Sequence, residues 1–343
     1  MLITLDDQDA MRRRSTDGVR MELGKKIARK IGDAEELATA IPGLTFFRRT
    51  CRTAPASVIY SPGLAMIVHG SKRVVLGTAT YIYDESRFLL TALDLPTIVE
   101  VTQASRNVPY LSFLLGLDLD VARRLIADID LLDTTAATAT AAAAGASPPA
   151  GAGMATGPAT RDLLEAVSRL VDLLETPGDI PVLGDLIHRE ILYRLLTGPA
   201  GGLLRQTVML GTHNRSARAI AWLRENFTRP LRIVELARAA GMGVSTLHHH
   251  FRTVTAMSPL QYQKHLRLHE ARRLLLSDDV DAATAAFRVG YESATQFSRE
   301  YRRLFGAPPM REIRALRHHG GGLATTVNTD NTTDNTTPPH RRH

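Results

Sequence analysis

Two groups of polar side chains in the last third of the chain have the residue types and spacing needed to form hydrogen bonds with base edges. The groups are Ser245, Thr246, His248, His249 and Arg252, and then Thr295, Gln296, Ser298, Arg299 and Arg302. Glutamine suits adenine and arginine suits guanine, because each can form two parallel hydrogen bonds worth about 1–3 kcal/mol of discrimination. The second group is therefore predicted to be the better reader of base sequence. The alternative for each side chain is solvation or contact with phosphate alone.

Apolar residues around both groups predict the amphipathic helices that must carry them. Leu247 and Phe251 in the first stretch, and Phe297 and Tyr301 in the second, form i, i+4 pairs on one helical face. His250 is also predicted to face the core. The polar groups are left on the opposite face of each helix.

A short helix and a tight turn are predicted before each of these helices. The pattern Ala-x-x-x-Gly occurs at residues 237–241 and 286–290, and its glycine can adopt the positive φ of a turn between helices. This helix-turn-helix pattern spans 232–259 and again 282–309, and a long helix over 260–276 is predicted to hold the two units apart. Two such units indicate sequence-directed binding of double-stranded DNA, with the second helix of each unit in the major groove.

Positive charge is concentrated in the same region. Residues 213–319 contain 18 Lys or Arg against 9 Asp or Glu, a net charge of about +9, whereas the whole chain has a net charge of +7. A basic domain beside a near-neutral one is typical of a phosphate-binding module joined to a module with another task. A charged run by itself is often only a solvated face, so this interpretation depends on the doubled helix pattern.

Specific strings within residues 219–313 carry a family resemblance. They are Leu236-Ala237-x-x-x-Gly241-Met242, Ser258-Pro259-Leu260-Gln261-Tyr262, Arg267-Leu268-x-x-Ala271-x-x-Leu274-Leu275, Ala285-Ala286-Phe287-Arg288-Val289-Gly290-Tyr291-Glu292-Ser293, Gln296-Phe297-Ser298-Arg299-Glu300-Tyr301, Phe305-Gly306 and Pro308-Pro309. The segment resembles the AraC family of bacterial transcription regulators, whose members carry two helix-turn-helix units joined by a long helix. The resemblance implies DNA as a partner and is compatible with a homodimer, a small-molecule effector and contact with RNA polymerase.

The chain departs from the family pattern at several positions. Gly243 replaces a capping Ser, which costs a few tenths of a kcal/mol. His249 replaces an Arg, and a neutral imidazole adds no charge to a phosphate or guanine contact. Ala256 replaces a turn Gly. The imidazole of His249 predicts weaker or pH-sensitive readout by the first unit.

Residues 44–116 predict a β-sandwich or small barrel. They contain eight short runs rich in β-branched and aromatic residues, mostly separated by Gly, Pro, Asp or Asn. The runs are 44–48, 57–60, 64–69, 73–76, 80–83, 88–93, 97–102 and 110–115.

This half of the chain is similar to the cupin-related N-terminal domain of one AraC subgroup. The matching motifs are Tyr60-Ser61-Pro62, Gly70-x-Lys72-Arg73-Val74-x-x-Gly77, Tyr81-x-Tyr83, Leu95-Pro96, Pro109-Tyr110-Leu111 and Glu190-Ile191-Leu192-Tyr193-Arg194-Leu195-Leu196. His69 stands where the subgroup tends to have Gln, which removes a shared ligand contact from the expectation.

The predicted class is an α+β multidomain protein with a cupin-like domain, a helical connector and an all-α domain. The expected segments are a lead-in at 1–40 with a charged helix at 25–40, the cupin-like domain at 41–132, a flexible Ala/Thr/Gly/Pro insert at 133–160, helices at 161–212, the double helix-turn-helix domain at 213–319 and a disordered tail at 320–343. The insert and the change of charge near residue 212 predict that few core contacts cross between the halves.

Neither a metal site nor a catalytic nucleophile is indicated. His265 and His269 are spaced to share an ion, but no third ligand is suggested near them, and the strand region contains only His69. Cys51 is flanked by cations that favour its thiolate, so a sensing thiol is the alternative to an ordinary cysteine. No cofactor is expected.

Two further functional classes remain open at this stage. One is a cupin-type enzyme of small molecules that binds DNA for autoregulation, and the other is an architectural or partner-binding DNA protein. The lack of an acid-base or metal constellation in residues 43–120 argues against the enzyme, and Gln296 with Arg299 argues against the architectural role. A single cysteine and the absence of a long apolar run predict a cytoplasmic protein with no membrane association.

Overall fold

The computed structural model describes residues 5–135, 153–209, 211–278 and 280–318. A β-rich N-terminal region precedes a helical C-terminal region, which confirms the predicted α+β multidomain class. None of the helices in these ranges is long and apolar enough to cross a membrane. The predicted tail at 320–343 lies outside the described residues.

In these ranges the N-terminal region forms ten strands in two antiparallel sheets. The strands are β1 (Glu36–Ala38), β2 (Leu44–Arg49), β3 (Ala56–Tyr60), β4 (Gly63–His69), β5 (Ser71–Leu76), β6 (Ala79–Asp84), β7 (Arg87–Thr91), β8 (Leu95–Gln103), β9 (Tyr110–Gly116) and β10 (Met154–Pro158). One sheet has the order β1-β2-β9-β4-β7-β10 and the other has the order β3-β8-β5-β6. All eight predicted strands are present, with ends that differ by one or two residues.

The N-terminal helix differs from its prediction. Helix α1 spans Leu5–Ile31, so the predicted helix over 25–40 is wrong beyond Ile31. Residues Glu36–Ala38 form β1 because this segment pairs with the edge of β2, where Leu37 lies opposite Phe46. Strand pairing thus overrides the helical preference of a charged stretch.

The predicted flexible insert is wrong at its C-terminal end. Helix α2 spans Leu119–Thr135, residues 136–152 lie outside the described residues, and Met154–Pro158 form β10. This strand pairs with β7, and Met154 and Ala155 are fully buried. Small residues offered little apolar surface to predict order, but backbone pairing with a sheet edge satisfies their hydrogen bonds.

Helices make up the rest of the described chain. The connector contains α3 (Arg161–Asp172), α4 (Asp185–Thr197) and α5 (Gly201–Met209), with short 3-10 and π-helical turns at Leu173–Glu175, Pro177–Asp179 and Ile180–Gly184. The C-terminal region contains α6 (Gly211–Asn226), α7 (Ile233–Ala240), α8 (Val244–Thr255), α9 (Pro259–Ser277), α10 (Ala282–Arg288), α11 (Ala294–Phe305) and α12 (Pro309–His318). The predicted long helix is therefore confirmed as α9.

Local signals fix the ends of these helices. Ser258 and Gln261 form a reciprocal capping box at the start of α9, and Asp281 caps α10. The turn glycines Gly241 and Gly290 have φ values of 65° and 90°, as predicted for both helix-turn-helix units.

The two halves share one apolar core, so the expectation that few core contacts cross between them is wrong. A single buried cluster joins Val74 and Leu95 of the four-stranded sheet to Phe251 and Tyr262 of the first helix-turn-helix unit. At the β5–β6 turn the backbones approach so closely that a Cβ on Gly77 would lie 2.3 Å from Cβ of Ala256.

A buried carboxylate adds polar contacts to this interface. Asp94, in the loop between β7 and β8, pairs with Arg224 of α6 at 2.7 Å and accepts a hydrogen bond from Ser61 at 2.8 Å. Its backbone oxygen accepts a hydrogen bond of 2.7 Å from the Tyr262 hydroxyl on α9. Both strand and helix elements are therefore held to the same residue.

Candidate nucleic-acid interface

Helix α8 presents its five predicted contact residues to solvent. Leu247 and Phe251 are fully buried, whereas Ser245, Thr246, His248, His249 and Arg252 are exposed. His250 is half-buried and its ring packs edge-on against His249. The helix starts at Gly243 without a side-chain cap, as the sequence indicates, and ends at Ala256 with φ of 58°. An alanine in this left-handed conformation is strained, so the first unit carries a cost at each end of its helix.

Helix α11, unlike α8, has a side-chain cap at its start. The Ser293 side chain accepts a hydrogen bond from the backbone N–H of Gln296, and Phe297 and Tyr301 are fully buried. The side chains of Thr295, Gln296, Arg299 and Arg302 are exposed, whereas Ser298 is half-buried. Four of the five predicted contact residues on this helix are thus fully available to a ligand.

Glu300 orients the predicted adenine reader. Its carboxylate accepts hydrogen bonds from Lys264 at 2.7 Å, Tyr291 at 2.8 Å and the Gln296 amide at 3.3 Å. Partial burial raises the pKa of Glu300, but these three hydrogen bonds outweigh burial and hold the pKa below its usual range. An ionised Glu300 therefore holds the Gln296 side chain on the outer face of α11.

Two side chains of α9 fix the position of one unit relative to the other. Arg267 donates to the backbone oxygens of Phe227 at 2.6 Å and Arg229 at 2.9 Å, just beyond α6, and to Gly290 at 2.8 Å, in the turn of the second unit. Gln263 donates to the oxygens of Phe227 and Arg229 as well. These carbonyls lie beyond the ends of α6 and α10 and are not part of the hydrogen bonds of either helix. The contacts of Arg267 and Gln263, here called the clamp, satisfy them and join both units to α9.

The exposed face of the two helices carries unneutralised positive charge. Within the described ranges, no carboxylate lies at ion-pair distance from Arg252, Arg299 or Arg302. Some neighbouring cations, by contrast, are used in structural pairs, such as Arg272 with Glu312 and Lys264 with Glu300. The guanidinium groups of Arg252, Arg299 and Arg302 lie on the predicted contact surface, where phosphate or guanine would supply the partner.

His269 of α9 lies against the four-stranded sheet of the N-terminal half. The Nε2 atom of His269 is 3.0 Å from Oγ of Ser57 on β3. Burial lowers the pKa of His265 to about 4 and that of His269 to about 3. Both imidazoles are therefore neutral packing groups at neutral pH.

Neither candidate sensing residue of the N-terminal half lies in a cavity. His69 is exposed, with Nδ1 at 3.8 Å from the Glu85 carboxylate, and Cys51 is an exposed free thiol. No described partner gives either residue a functional role.

Sequence reasoning missed a cavity between the two sheets and the lysine inside it. Lys72, Val74 and Leu76 alternate along β5 and share its inner face, while Arg73 is exposed. The signal was present in the sequence, because strict alternation places Lys72 with the buried residues.

Each half of the chain matches a known protein family. Residues 40–203 match the family described as AraC-type transcriptional regulator N-terminus, and residues 236–315 match a helix-turn-helix domain family. The chain belongs to the AraC-type transcriptional regulators. This family is one of regulators and not of enzymes.

Named relatives of this AraC-type regulator include the HTH-type transcriptional activator RhaS of Salmonella schwarzengrund and of Salmonella newport. The identity to each is 32% over 160 residues, which is 46% of this chain and 56% of the relative. The chain thus spans little more than half the length of these relatives.

Solved structures share the fold. ToxT from Vibrio cholerae O395 is 10% identical, with a TM-score of 0.52, over 79% of this chain and 99% of that chain. ToxT from Vibrio cholerae strain SCE256 is also 10% identical, with a TM-score of 0.51, over 82% and 95% of the two chains. At this identity the likeness concerns the fold alone.

Proposed function

We propose that this AraC-type regulator binds double-stranded DNA in a sequence-dependent manner and controls transcription from the bound site. Helices α8 and α11 occupy successive major grooves on one side of the duplex, and α9 sets their separation. The observation that carries the proposal is the coincidence of two exposed polar helix faces with guanidinium groups that have no carboxylate partner. Binding to chromosomal DNA requires a cytoplasmic location.

Base reading is assigned mainly to α11. Selection of bound sequences from random DNA tests this role, and Arg299→Ala is expected to relax the preference at one base pair and to lower specific affinity about 5- to 150-fold. Arg314→Ala removes the same charge from the exposed face of α12 and is expected to weaken binding to all sequences alike. An unchanged selected motif in Arg299→Ala would remove that residue from base reading.

A homodimer is proposed through an apolar face of the connector. Val182, Leu186 and Tyr193 are 67%, 61% and 45% exposed, and Leu183 beside them is 41% exposed. Apolar residues grouped in this way on a helix are typical of a protein interface. A second copy of the chain is the occupant that the AraC-type domain favours, and contact with RNA polymerase is assigned to the assembled dimer on DNA.

Leu186→Glu is expected to convert the dimer to a monomer, because a charge would be buried at the interface. Sedimentation velocity at micromolar concentration measures the change. Met21→Glu is the matched control, since Met21 is 62% exposed and lies on a different helix, α1. A sedimentation coefficient that is the same for Leu186→Glu and the unsubstituted chain would contradict this interface.

The N-terminal half is proposed to respond to a small-molecule effector. Three observations support a link from its interior to the DNA-binding half: the shared apolar cluster, the Asp94 contacts and the Ser57–His269 contact. ToxT itself binds an unsaturated fatty acid in one structure and (E)-4-(8-methylnaphthalen-1-yl)but-3-enoic acid in another. The wall of the cavity in this chain includes no His, Cys, Asp or Glu that could ligate a metal ion.

A further inference from the structure

The cavity between the two sheets has the size of a small molecule. Its volume is about 90 Å³, and strands from both sheets line it. An engineered apolar cavity of about 150 Å³ holds benzene, so this smaller space holds about four to six non-hydrogen atoms. Propionate or isobutyrate has this size, whereas benzoate and a long-chain fatty acid do not.

The wall is mainly apolar and contains two cations, Lys72 near the start of β5 and Arg49 at the end of β2. Val58, Ala65, Val101 and Phe113 contribute apolar surface, and Lys72 contributes its ammonium group. Nζ of Lys72 donates to the Tyr60 hydroxyl at 2.7 Å and lies 5.4 Å from the centre of that ring. Among the described residues no carboxylate is within ion-pair distance of Lys72.

The hydroxyl groups in the wall cannot neutralise this lysine. Burial raises the pKa of Tyr60, Tyr83 and Tyr110, so all three stay neutral at physiological pH and act as hydrogen-bond donors. The same burial lowers the pKa of Lys72. A buried ammonium group without an anion is costly, and an anionic ligand would remove that cost.

Arg49 also lines the cavity, and its positive charge adds to burial in lowering the pKa of Lys72. Its guanidinium group donates to the backbone oxygens of Glu35 and Arg48 at 2.6 Å and lies 3.7 Å from the Glu35 carboxylate. It is therefore engaged at the β1–β2 end of the cavity. Of the two cations in the wall, Arg49 has a carboxylate within ion-pair distance, whereas Lys72 has none among the described residues. One such ammonium group beside an apolar wall matches a monoanion better than a phosphate.

We propose that this cavity binds a small monocarboxylate with an apolar body, whose carboxylate contacts Nζ of Lys72 and the hydroxyl of Tyr60. The inference rests on the proposed function and names the class of its effector. Because Val58, Tyr60 and Tyr110 belong to the same buried cluster as Phe251 and Tyr262, an occupied cavity alters the packing under α8 and α9. Occupancy therefore changes DNA affinity.

Isothermal titration of the full chain tests the inference with propionate, butyrate and isobutyrate, each against its neutral amide. Palmitoleate, inorganic phosphate and a neutral pentose complete the panel. We expect at least one small acid to bind about tenfold or more tightly than its amide, since a charge-assisted hydrogen bond to Lys72 is lost in the amide. Equal binding of acids and amides, no binding of any acid, or tighter binding of palmitoleate, phosphate or pentose would overturn it.

Two variants locate the contact. Lys72→Met removes the charge and keeps the stem, and we expect it to lose at least tenfold in affinity for the acid. Arg73→Met, its neighbour on the outer face of β5, is expected to bind as the unsubstituted chain does. If Lys72→Met does not fold, Tyr60→Phe tests the same contact. We expect it to lower the affinity for the acid severalfold. DNA binding of the unsubstituted chain is measured in parallel without ligand. If that chain binds DNA but none of the acids, this inference is overturned and the DNA function still stands.

Discussion

Arg272→Met is expected to lower the free energy of unfolding of the C-terminal helices by about 3–5 kcal/mol. Arg272 and Glu312 form a buried pair at 2.6 Å, with only 9% and 11% of their side chains exposed. Glu312 also accepts a hydrogen bond of 2.8 Å from Tyr301, and the guanidinium group lies 4.8 Å from the centre of the Phe305 ring. Removal of the arginine leaves a buried carboxylate with one neutral donor. Urea unfolding followed by far-ultraviolet circular dichroism measures the loss.

The adjacent arginine supplies the control for this prediction. Arg273 pairs with Glu270 at the surface of the same helix, with 41% and 32% of the side chains exposed, so Arg273→Met is expected to cost less than about 1 kcal/mol. The double change Arg272→Met with Glu312→Leu is expected to recover most of the lost stability, because it leaves no unpaired charge. Equal unfolding midpoints for Arg272→Met and Arg273→Met would contradict a structural role for the buried pair.

Arg267→Met is expected to lower affinity for a complete site about 10²-fold or more while affinity for half of the site stays within about threefold. The substitution removes the clamp between the end of α6 and the Gly290 turn, so each unit still binds but the second no longer benefits from a fixed position. The measurement is a titration of both DNAs at one salt concentration, since phosphate contacts make affinity salt-dependent.

The control for Arg267→Met is a variant that loses a positive charge from the same helix but keeps the clamp. Arg273→Met removes a positive charge from α9 without touching the clamp and is expected to weaken both DNAs by the same small factor. If Arg267→Met reduced affinity for the complete site and the half site equally, the residue would act through charge or folding and not through the spacing of the two units.

The helices of the C-terminal half could be predicted from the sequence because the signals that determine them are local. The apolar pairs Leu247–Phe251 and Phe297–Tyr301 decide which helix face is buried, and the turn glycines decide where the helices break. Each of these preferences acts within a few residues and agrees with the others, so the predicted helices and exposed side chains match the structure.

Contacts between segments that are distant in the sequence could not be predicted in the same way. β10 forms only because the β7 edge is free to pair with it, and Asp94 meets Arg224 across 130 positions of sequence. Composition indicated a flexible insert and independent halves because neither partner is visible locally. Lys72 could be predicted in part. The alternation along β5 places its side chain on the inner face of the sheet, but the cavity around it forms only where the two sheets meet.

The spacing dependence of DNA binding tests the central claim most directly. With the selected complete site in hand, five base pairs are inserted between the stretches read by α8 and α11, which turns the two major-groove faces to opposite sides of the duplex. Because Arg267 and Gln263 hold both units on α9, we expect affinity to fall about 10²-fold, close to the value for half of the site. Equal affinity for the original and the extended DNA would contradict a rigid pair of helix-turn-helix units that reads successive grooves.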